Sequence, residues 1–217
     1  MITIKKIKEF GIDAYKKLSG AGTSADPYQE IVTIFSEAGI AAGVDAVTES
    51  LQTVTYEHHE IHSGSHYFID GVIDLSINEV YDIQLTTPNT TKWAHMVFTV
   101  ACENETMIYT YEDVTIVTPG GTSYAKINNN RNSSNTSGLT VNGILNTSIG
   151  NANADTDVSG ATILNQTIVG SGRSSGSINR ASEIILKQNT DYSMRIIASA
   201  AGYTGFHFLW YEHINKH

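Results

Sequence analysis

The sequence has a single cysteine, Cys102, among its 217 residues. Because no internal disulfide can form, we expect the fold to be held by buried apolar surface or by contacts between subunits. Cys102 ends the run 97–102, whose β-branched and aromatic residues predict a strand. Its thiol is therefore expected to be a small buried group and not a nucleophile.

Charge is also scarce. Only 16% of the residues are charged, and the formal net charge is −9. Affinity for nucleic acid depends on lysine and arginine contacts to phosphate, so this composition argues against a nucleic-acid partner. No apolar run reaches the length of a membrane span, and residues 1–10 lack the apolar stretch of a secretory signal. We therefore expect synthesis in the cytoplasm and no membrane partner.

Short segments rich in β-branched and aromatic residues dominate the chain from residue 53 onward. Turn signals such as Thr87-Pro88-Asn89 and Pro119-Gly120 separate them. The candidate strands are residues 66–70, 80–87, 93–102, 107–117, 139–149, 161–169, 183–187, 192–199 and 205–213. Strands of this length and spacing, without a βαβ pattern, predict an all-β fold. We expect a jelly-roll-like antiparallel β-sandwich over residues 53–217.

Residues 1–52 differ in character and predict an N-terminal arm or docking segment. Its lysines are concentrated at the start of the chain, at Lys5, Lys6, Lys8, Lys16 and Lys17. Residues 19–27 are rich in Gly, Ser and Ala and predict a flexible break. Beyond the break, Ile40, Val44, Val47 and Leu51 have helical spacing. A short docking helix and an extended arm both fit, and either needs a partner surface for stability.

The polar run 128–137 is the longest predicted connection inside the β-domain. Its Asn and Ser side chains hydrogen-bond their own backbone and disfavour both helix and strand. Arg131, with Lys126 and Ile127 just before the run, gives it more anchoring groups than a solvating Ser/Asn tract has. We therefore expect an ordered, self-bonded loop, with a disordered linker as the alternative.

The densest group of metal-ligating residue types is in the histidine-rich stretch 58–66. An alternation with period two from residue 53 predicts a strand that places His58, Glu60 and His62 on one face. Imidazole and carboxylate groups on one face are metal-ligand types. The spacing matches no specific zinc pattern, however, and a polar strand face without function is the simpler reading.

Nothing in the sequence predicts a catalytic centre or a cofactor. The carboxylates considered for glycoside hydrolysis, which needs two acids flanking a bond, are Asp70, Asp74, Asp82, Glu112, Asp113 and Glu183. No pattern pairs any two of them, so solvated surface positions are expected. The aromatics considered as a sugar-binding surface are Trp93, Tyr203, Phe206 and Trp210, for which core positions are expected. No phosphate loop, dinucleotide fingerprint or nucleophile elbow occurs. We therefore predict a protein that is not an enzyme.

Several segments in the same order resemble a family of tailed-bacteriophage virion proteins, the head decoration or cement proteins. The segments that carry the resemblance are residues 62–71, 86–95, 128–137, 183–192 and 210–213. The resemblance covers roughly residues 55–214. It implies a jelly-roll sandwich that forms a homotrimer on the outer head surface of the virion, with an N-terminal extension that contacts the major capsid protein.

The resemblance also implies a set of residues at the capsid or subunit interface. They are Lys5, Lys6, Lys8, Lys16, Lys17, Ile31, Phe35, Asn130, Arg131, Trp210 and Tyr211. The alternatives to a decoration protein are a tail or fibre component that binds a host-cell glycan, and a carbohydrate-binding module. A trimer that persists without the capsid and binds host cells would favour the fibre reading.

Overall fold

The computed structural model describes Ile4–Glu9, Ile12–Ser19, Gln29–Phe35, residues 56–170 and residues 176–214. Burial and side-chain contacts are described for residues 57–170 and 183–214. Contacts divide the chain into two compact units, Met1–Thr55 and Tyr56–His217.

The first unit contains a three-stranded antiparallel sheet in the order β1-β2-β3. Its strands are β1 (Ile4–Glu9), β2 (Ile12–Ser19) and β3 (Gln29–Phe35). The sequence predicted an arm or a short helix in this region and did not predict these strands. The stretch with helical spacing, residues 40–51, lies outside the described residues.

The second unit is built almost entirely from strands. Its helix is α1 (Tyr56–Ser63), and a short 3₁₀ turn spans Ile149–Asn151. Its strands are β4 (His66–Leu75), β5 (Val80–Thr86), β6 (Lys92–Cys102), β7 (Thr106–Glu112), β8 (Thr115–Ile116), β9 (Thr122–Ser123), β10 (Ile127–Asn128), β11 (Thr140–Asn146), β12 (Thr156–Asp157), β13 (Thr162–Val169), β14 (Gly176–Leu186), β15 (Asp191–Ala198) and β16 (Gly202–Ile214).

The long strands form two antiparallel sheets packed face to face. The first sheet has the order β10-β4-β16-β6-β14, and the second has the order β13-β7-β15-β5-β11-β9. From β4 to β7 and again from β13 to β16, successive long strands alternate between the two sheets. This strand order is that of a jelly roll. The predicted all-β, jelly-roll-like sandwich is therefore confirmed.

The core lies between the two sheets, and β16 contributes three of its bulky aromatic side chains. Phe206, Phe208 and Trp210 alternate along β16 and are each at most 3% exposed. Cys102 is also buried, as predicted. A void among the core side chains between the sheets has a volume of about 20 Å³. That is room for little more than one water molecule, so side chains fill this part of the interior.

Strands β5 and β15 of the second sheet are buried on both faces. On the side away from the core, Asp82 of β5 forms an ion pair with Arg195 of β15, with Arg195 Nε donating to Asp82 Oδ1 at 2.9 Å. Arg195 Nη2 also donates to the carbonyl oxygens of Ala152 and Thr156, both at 2.7 Å. The guanidinium therefore ties the segment around the 3₁₀ turn to the sheet, and every polar group of the pair has a partner.

Residues 56–62 of the stretch predicted as a strand belong instead to the helix α1, so the prediction is wrong there, and residues 53–55 lie outside the described residues. The helix ends at a Schellman motif, in which Gly64 N donates to Ile61 O at 3.1 Å and Ser65 N donates to Glu60 O at 3.0 Å. Gly64 takes the left-handed conformation that this motif requires, with φ +73°. The alternation that suggested a strand involved almost only polar side chains, so it marked no buried face.

The polar run 128–137 is an ordered, self-bonded loop, as predicted. Asn130 N donates to Asn128 Oδ1 at 2.8 Å, and Asn132 N donates to Asn130 Oδ1 at 3.1 Å. The loop also docks on the end of α1, because Asn128 Nδ2 donates to Gly64 O at 2.9 Å. Its last residue, Ser137, hydrogen-bonds the buried Glu212 of β16.

We predict that Asp82→Ala destabilises the protein by about 3–5 kcal/mol, because removing one partner leaves a buried, uncompensated charge on Arg195. The measurement is the free energy of unfolding from urea denaturation. Lys187→Ala is the matched control, because Lys187 pairs with Glu112 at 2.6 Å but is 59% exposed. Because the lysine lies mostly in solvent, its removal should cost much less than that of Asp82, even though its partner Glu112 is only 13% exposed. Equal losses in both variants would contradict the role given to the buried pair.

Candidate functional site

The candidate site is the outer face of the first sheet, on the side away from the core. Residues in β4, β6 and β16 alternate between buried and accessible positions. The outer face consists of the accessible set Phe68, Asp70, Val72, Val97, Thr99, Ala101, Gly205, His207 and Leu209. The strand register aligns these residues in rows across the sheet, with Phe68 beside Leu209 and Leu209 beside Val97. This row places three half-buried apolar side chains next to one another.

A shallow depression of about 560 Å³ lies next to this apolar row. Gly205 forms its floor, and a β-carbon there would meet its nearest neighbours only at 3.9–4.0 Å. Val72, which is 72% exposed, stands on one side of the depression, and Asp70 and His207 stand at one end. The hollow therefore exists because small residues occupy the middle of a sheet whose neighbouring positions carry larger side chains.

A row of aromatic and imidazole rings continues the outer face toward the end of β16. Tyr211 stacks on His95 with ring centroids 4.7 Å apart, and His95 lies 4.6 Å from His213. On the other side, His66 stacks on Tyr211 at 6.3 Å. His66 is 2% exposed, and burial lowers the pKa of its imidazole against the opposing attraction of Glu57 and Glu60.

Glu183, near the end of β14, contacts this row from one side. Tyr211 OH donates to Glu183 Oε2 at 2.7 Å, and His95 Nδ1 lies 3.2 Å from Glu183 Oε1. Partial burial opposes ionisation of Glu183, but the hydrogen bonds from Tyr211 and His95 outweigh it and lower the pKa of the carboxyl. The carboxylate is therefore ionised at neutral pH and fixes the orientation of both rings.

The carboxylates considered for catalysis do not form one site. Asp82 forms an ion pair with Arg195. Glu112 and Asp113 both contact Lys187, at 2.6 Å and 3.4 Å. Asp70 and Asp74 are exposed on the outer side of β4.

The aromatic residues considered as a sugar-binding surface are likewise separated. Phe206 and Trp210 belong to the core, as expected. Trp93 and Tyr203 are accessible, but Trp93 pairs with His213 at one end of β16 and Tyr203 pairs with Asp74 at the other.

The interface residues implied by the resemblance fall into four different parts of the structure. Trp210 is 1% exposed, and its Nε1 donates to Glu212 Oε1 at 3.0 Å, so its indole is a core group. Tyr211 is 8% exposed and lies in the ring row. Asn130 is half-buried and Arg131 is exposed, both in the polar loop. The remaining residues lie in the first unit, where the backbone alone is described, in β1 (Lys5, Lys6, Lys8), β2 (Lys16, Lys17) and β3 (Ile31, Phe35).

The three candidate metal ligands, His58, Glu60 and His62, do not come together. His58 and His62 are one turn apart on α1, with their Nε2 atoms 2.9 Å apart. Glu60 is 5% exposed and accepts hydrogen bonds from Ser63 and Ser65, so it faces a different side of the helix. Across residues 57–170 and 183–214, no group of three or more His, Cys, Asp or Glu side chains is arranged to hold a metal ion.

Sequence reasoning missed the outer face and the ring row. The signal was present in β16, where Phe206, Phe208 and Trp210 alternate with Leu209 and Tyr211. A strand with one wet face alternates apolar and polar residues, whereas this strand is apolar or aromatic on both faces. That pattern indicates that both faces of β16 pack against other side chains or against a partner.

No family model matches the chain, and no match was found among curated proteins or solved structures. Of the helical segments that the structure describes, none has the length and apolar character needed to cross a membrane.

We predict that the stability of the protein falls as the pH is lowered through 6.5, in part because of His66. Its folded-state pKa lies below its unfolded value, so the unfolded chain binds more protons in the interval between them, and protonation favours unfolding there. The contribution of neutral His66 to the free energy of unfolding is complete above the unfolded pKa. It is lost progressively as the pH falls from the unfolded pKa to the folded pKa. The measurement is the free energy of unfolding between pH 8 and pH 5. His66→Gln should show a shallower loss than the wild type, and parallel curves would contradict this assignment.

Proposed function

We propose that this chain is a non-enzymatic structural protein of a tailed-bacteriophage virion, a capsid decoration or cement protein that binds the outer head surface as a homotrimer. The observation that carries the proposal is the outer face of the first sheet, with its apolar row and its adjacent depression. The resemblance of the sequence to head decoration proteins supplies the biological setting. The partners in this proposal are a second copy of the chain and the major capsid protein.

The fold alone does not decide between functions. Jelly rolls occur in viral capsid proteins, in lectins and in cupins, so the argument must come from the surfaces of the molecule. The core void of about 20 Å³ is too small for an organic ligand. A role that depends on contacts of the outer surface therefore has more support than a reaction inside the sandwich.

The outer face has the character of a protein contact surface. Phe68, Val97 and Leu209 form a continuous apolar row, and Val72 beside it is 72% exposed. Monomeric soluble proteins rarely leave large contiguous apolar patches open to water, and such patches often mark contact surfaces. We assign the outer face to a neighbouring copy of the same chain, because closed cyclic assembly covers the same patch on every subunit.

The proposed mechanism is the burial of area across joints between shell subunits. Pressure from the packaged genome would then have to break many interfaces at once. Each contact that forms also raises the effective concentration for the next one, so the linked contacts bind more tightly together than singly. The lysines of β1 and β2 would meet acidic patches of the shell. The exposed acidic residues of the sandwich would face solvent.

We predict that Val72→Lys converts the trimer to monomer, because an ammonium group cannot be buried in an apolar contact without a partner. The measurement is molar mass from size-exclusion chromatography with light scattering. The matched control is Ile168→Lys in β13 of the second sheet, where Ile168 is 56% exposed. Both changes are at exposed positions and should alter folding stability by no more than about 0.5 kcal/mol. A monomeric wild type, or equal effects of the two changes, would count against the proposed contact.

We predict that Lys16→Glu combined with Lys17→Glu lowers the occupancy of the protein on expanded heads, and that added salt weakens wild-type binding in the same direction. Occupancy is measured by co-sedimentation with heads that lack the protein. The control is Lys92→Glu with Lys126→Glu, which makes the same charge change at exposed positions of the sandwich. Unchanged occupancy of the first variant would refute the role of the lysines. Binding to host cells instead of heads would favour the tail or fibre alternative.

A further inference from the structure

His95 of β6 and His213 of β16 are diagonal neighbours across the first sheet, two residues out of direct register, because His95 pairs with Tyr211 and His213 with Trp93. Their Nε2 atoms are 2.9 Å apart. His95 is only partly accessible, with 11% of its side chain exposed. At this distance the two Nε2 atoms cannot both carry a proton, and they cannot both present a lone pair without repulsion.

The hydrogen bonds of Glu183 fix the proton on His95 Nδ1. A carboxylate can only accept, and Tyr211 OH already gives its one proton to Glu183 Oε2 at 2.7 Å. His95 Nδ1 lies 3.2 Å from Glu183 Oε1 and 3.1 Å from the Tyr211 oxygen. Since both oxygens act as acceptors toward it, His95 Nδ1 carries a proton. A neutral His95 then has a bare Nε2.

The same reasoning applies to His213. Its Nδ1 lies 2.9 Å from the carbonyl oxygen of Ile214, and a carbonyl oxygen can only accept. His213 Nδ1 therefore also carries a proton. If both rings were neutral, two bare Nε2 atoms would face each other with their lone pairs opposed. A cation must lie between them, and it is either a shared proton or a metal ion.

We propose that His95 and His213 form a binding site for a divalent first-row transition-metal ion such as Zn²⁺, held by the two Nε2 atoms. Metal-binding histidines almost always donate their other ring N–H to a carboxylate or a backbone carbonyl. Here Glu183 and the carbonyl of Ile214 provide those two acceptors. Binding displaces the shared proton, and the remaining coordination positions are filled by water or by a donor from a partner.

The geometry requires only a small adjustment. Zinc binds imidazole nitrogen at about 2.0–2.1 Å, so two ligands at the tetrahedral angle are roughly 3.3 Å apart. The observed separation is 2.9 Å. A widening of about 0.4 Å is within the reach of small rotations of two side chains. The pair on α1, His58 and His62, has the same separation of Nε2 atoms, and the test must therefore remove it.

The test measures Zn²⁺ binding to the full chain by equilibrium dialysis at pH 7.5, after treatment with a chelator. His62→Ala is used as the background, because it removes the pair on α1. In this background we expect Zn²⁺ to bind at one ion per chain. Adding His213→Ala should weaken binding at least tenfold. Adding Glu183→Gln, which keeps both ligands, should weaken it by about tenfold, as expected for loss of a partner that orients a ligand.

The folding of each variant is checked by circular dichroism. A second measurement does not depend on the variants: in the His62→Ala protein, the imidazole NMR signals of His95 and His213 should be the first to shift as Zn²⁺ is added. Equal affinity with and without His213 would overturn the proposal. Failure of the folded His62→Ala protein to bind Zn²⁺ at millimolar concentration would also overturn it, and would assign the pair to a shared proton.

Discussion

The alternation of β16 is the constraint on which the rest of the structure depends. The strand lies between β4 and β6 in the first sheet. Phe206, Phe208 and Trp210 point into the sandwich and are three of the bulky aromatic side chains of its core. The same alternation forces Gly205 and His207 to the outer side, together with Leu209, Tyr211 and His213. Core, apolar row, depression and ring row are therefore consequences of one strand, and a shift of its register by one residue would exchange its two faces.

Buried polar groups then attach the irregular segments to this frame. Glu212, 6% exposed, accepts hydrogen bonds from the Trp210 indole and from Gly138 N, and so holds the end of the polar loop against β16. On the second sheet, Asp82 and Arg195 hold the segment around the 3₁₀ turn. Apolar burial stabilises the two sheets but is not directional. These hydrogen bonds are directional, so they allow only one arrangement of the segments that they join. The loops are therefore ordered by a few charged groups that the sandwich buries.

The sequence predicted the sandwich well because most strands have a period of two and end at Pro, Gly or Asn. It also predicted the self-bonded character of the loop at 128–137, since Asn and Ser bond locally whatever the tertiary structure. The prediction of a strand failed at α1. There Gly64 was the useful signal, because it ends the helix as a C-cap, whereas the alternation of polar residues was misleading. The pairing of His95 with His213 and of Asp82 with Arg195 could not be predicted, because more than 100 residues separate each pair along the chain. Only the strand order brings them together.

Cryo-electron microscopy of expanded, undecorated heads mixed with the purified chain tests the central claim most directly, that the sandwich is a capsid decoration protein. We expect regular density at local threefold positions, three copies at each, with the outer faces of the first sheet buried between the copies. Bare shells at saturating protein concentration would contradict the account. Trimers attached with their outer faces open to solvent would contradict the assignment of that face.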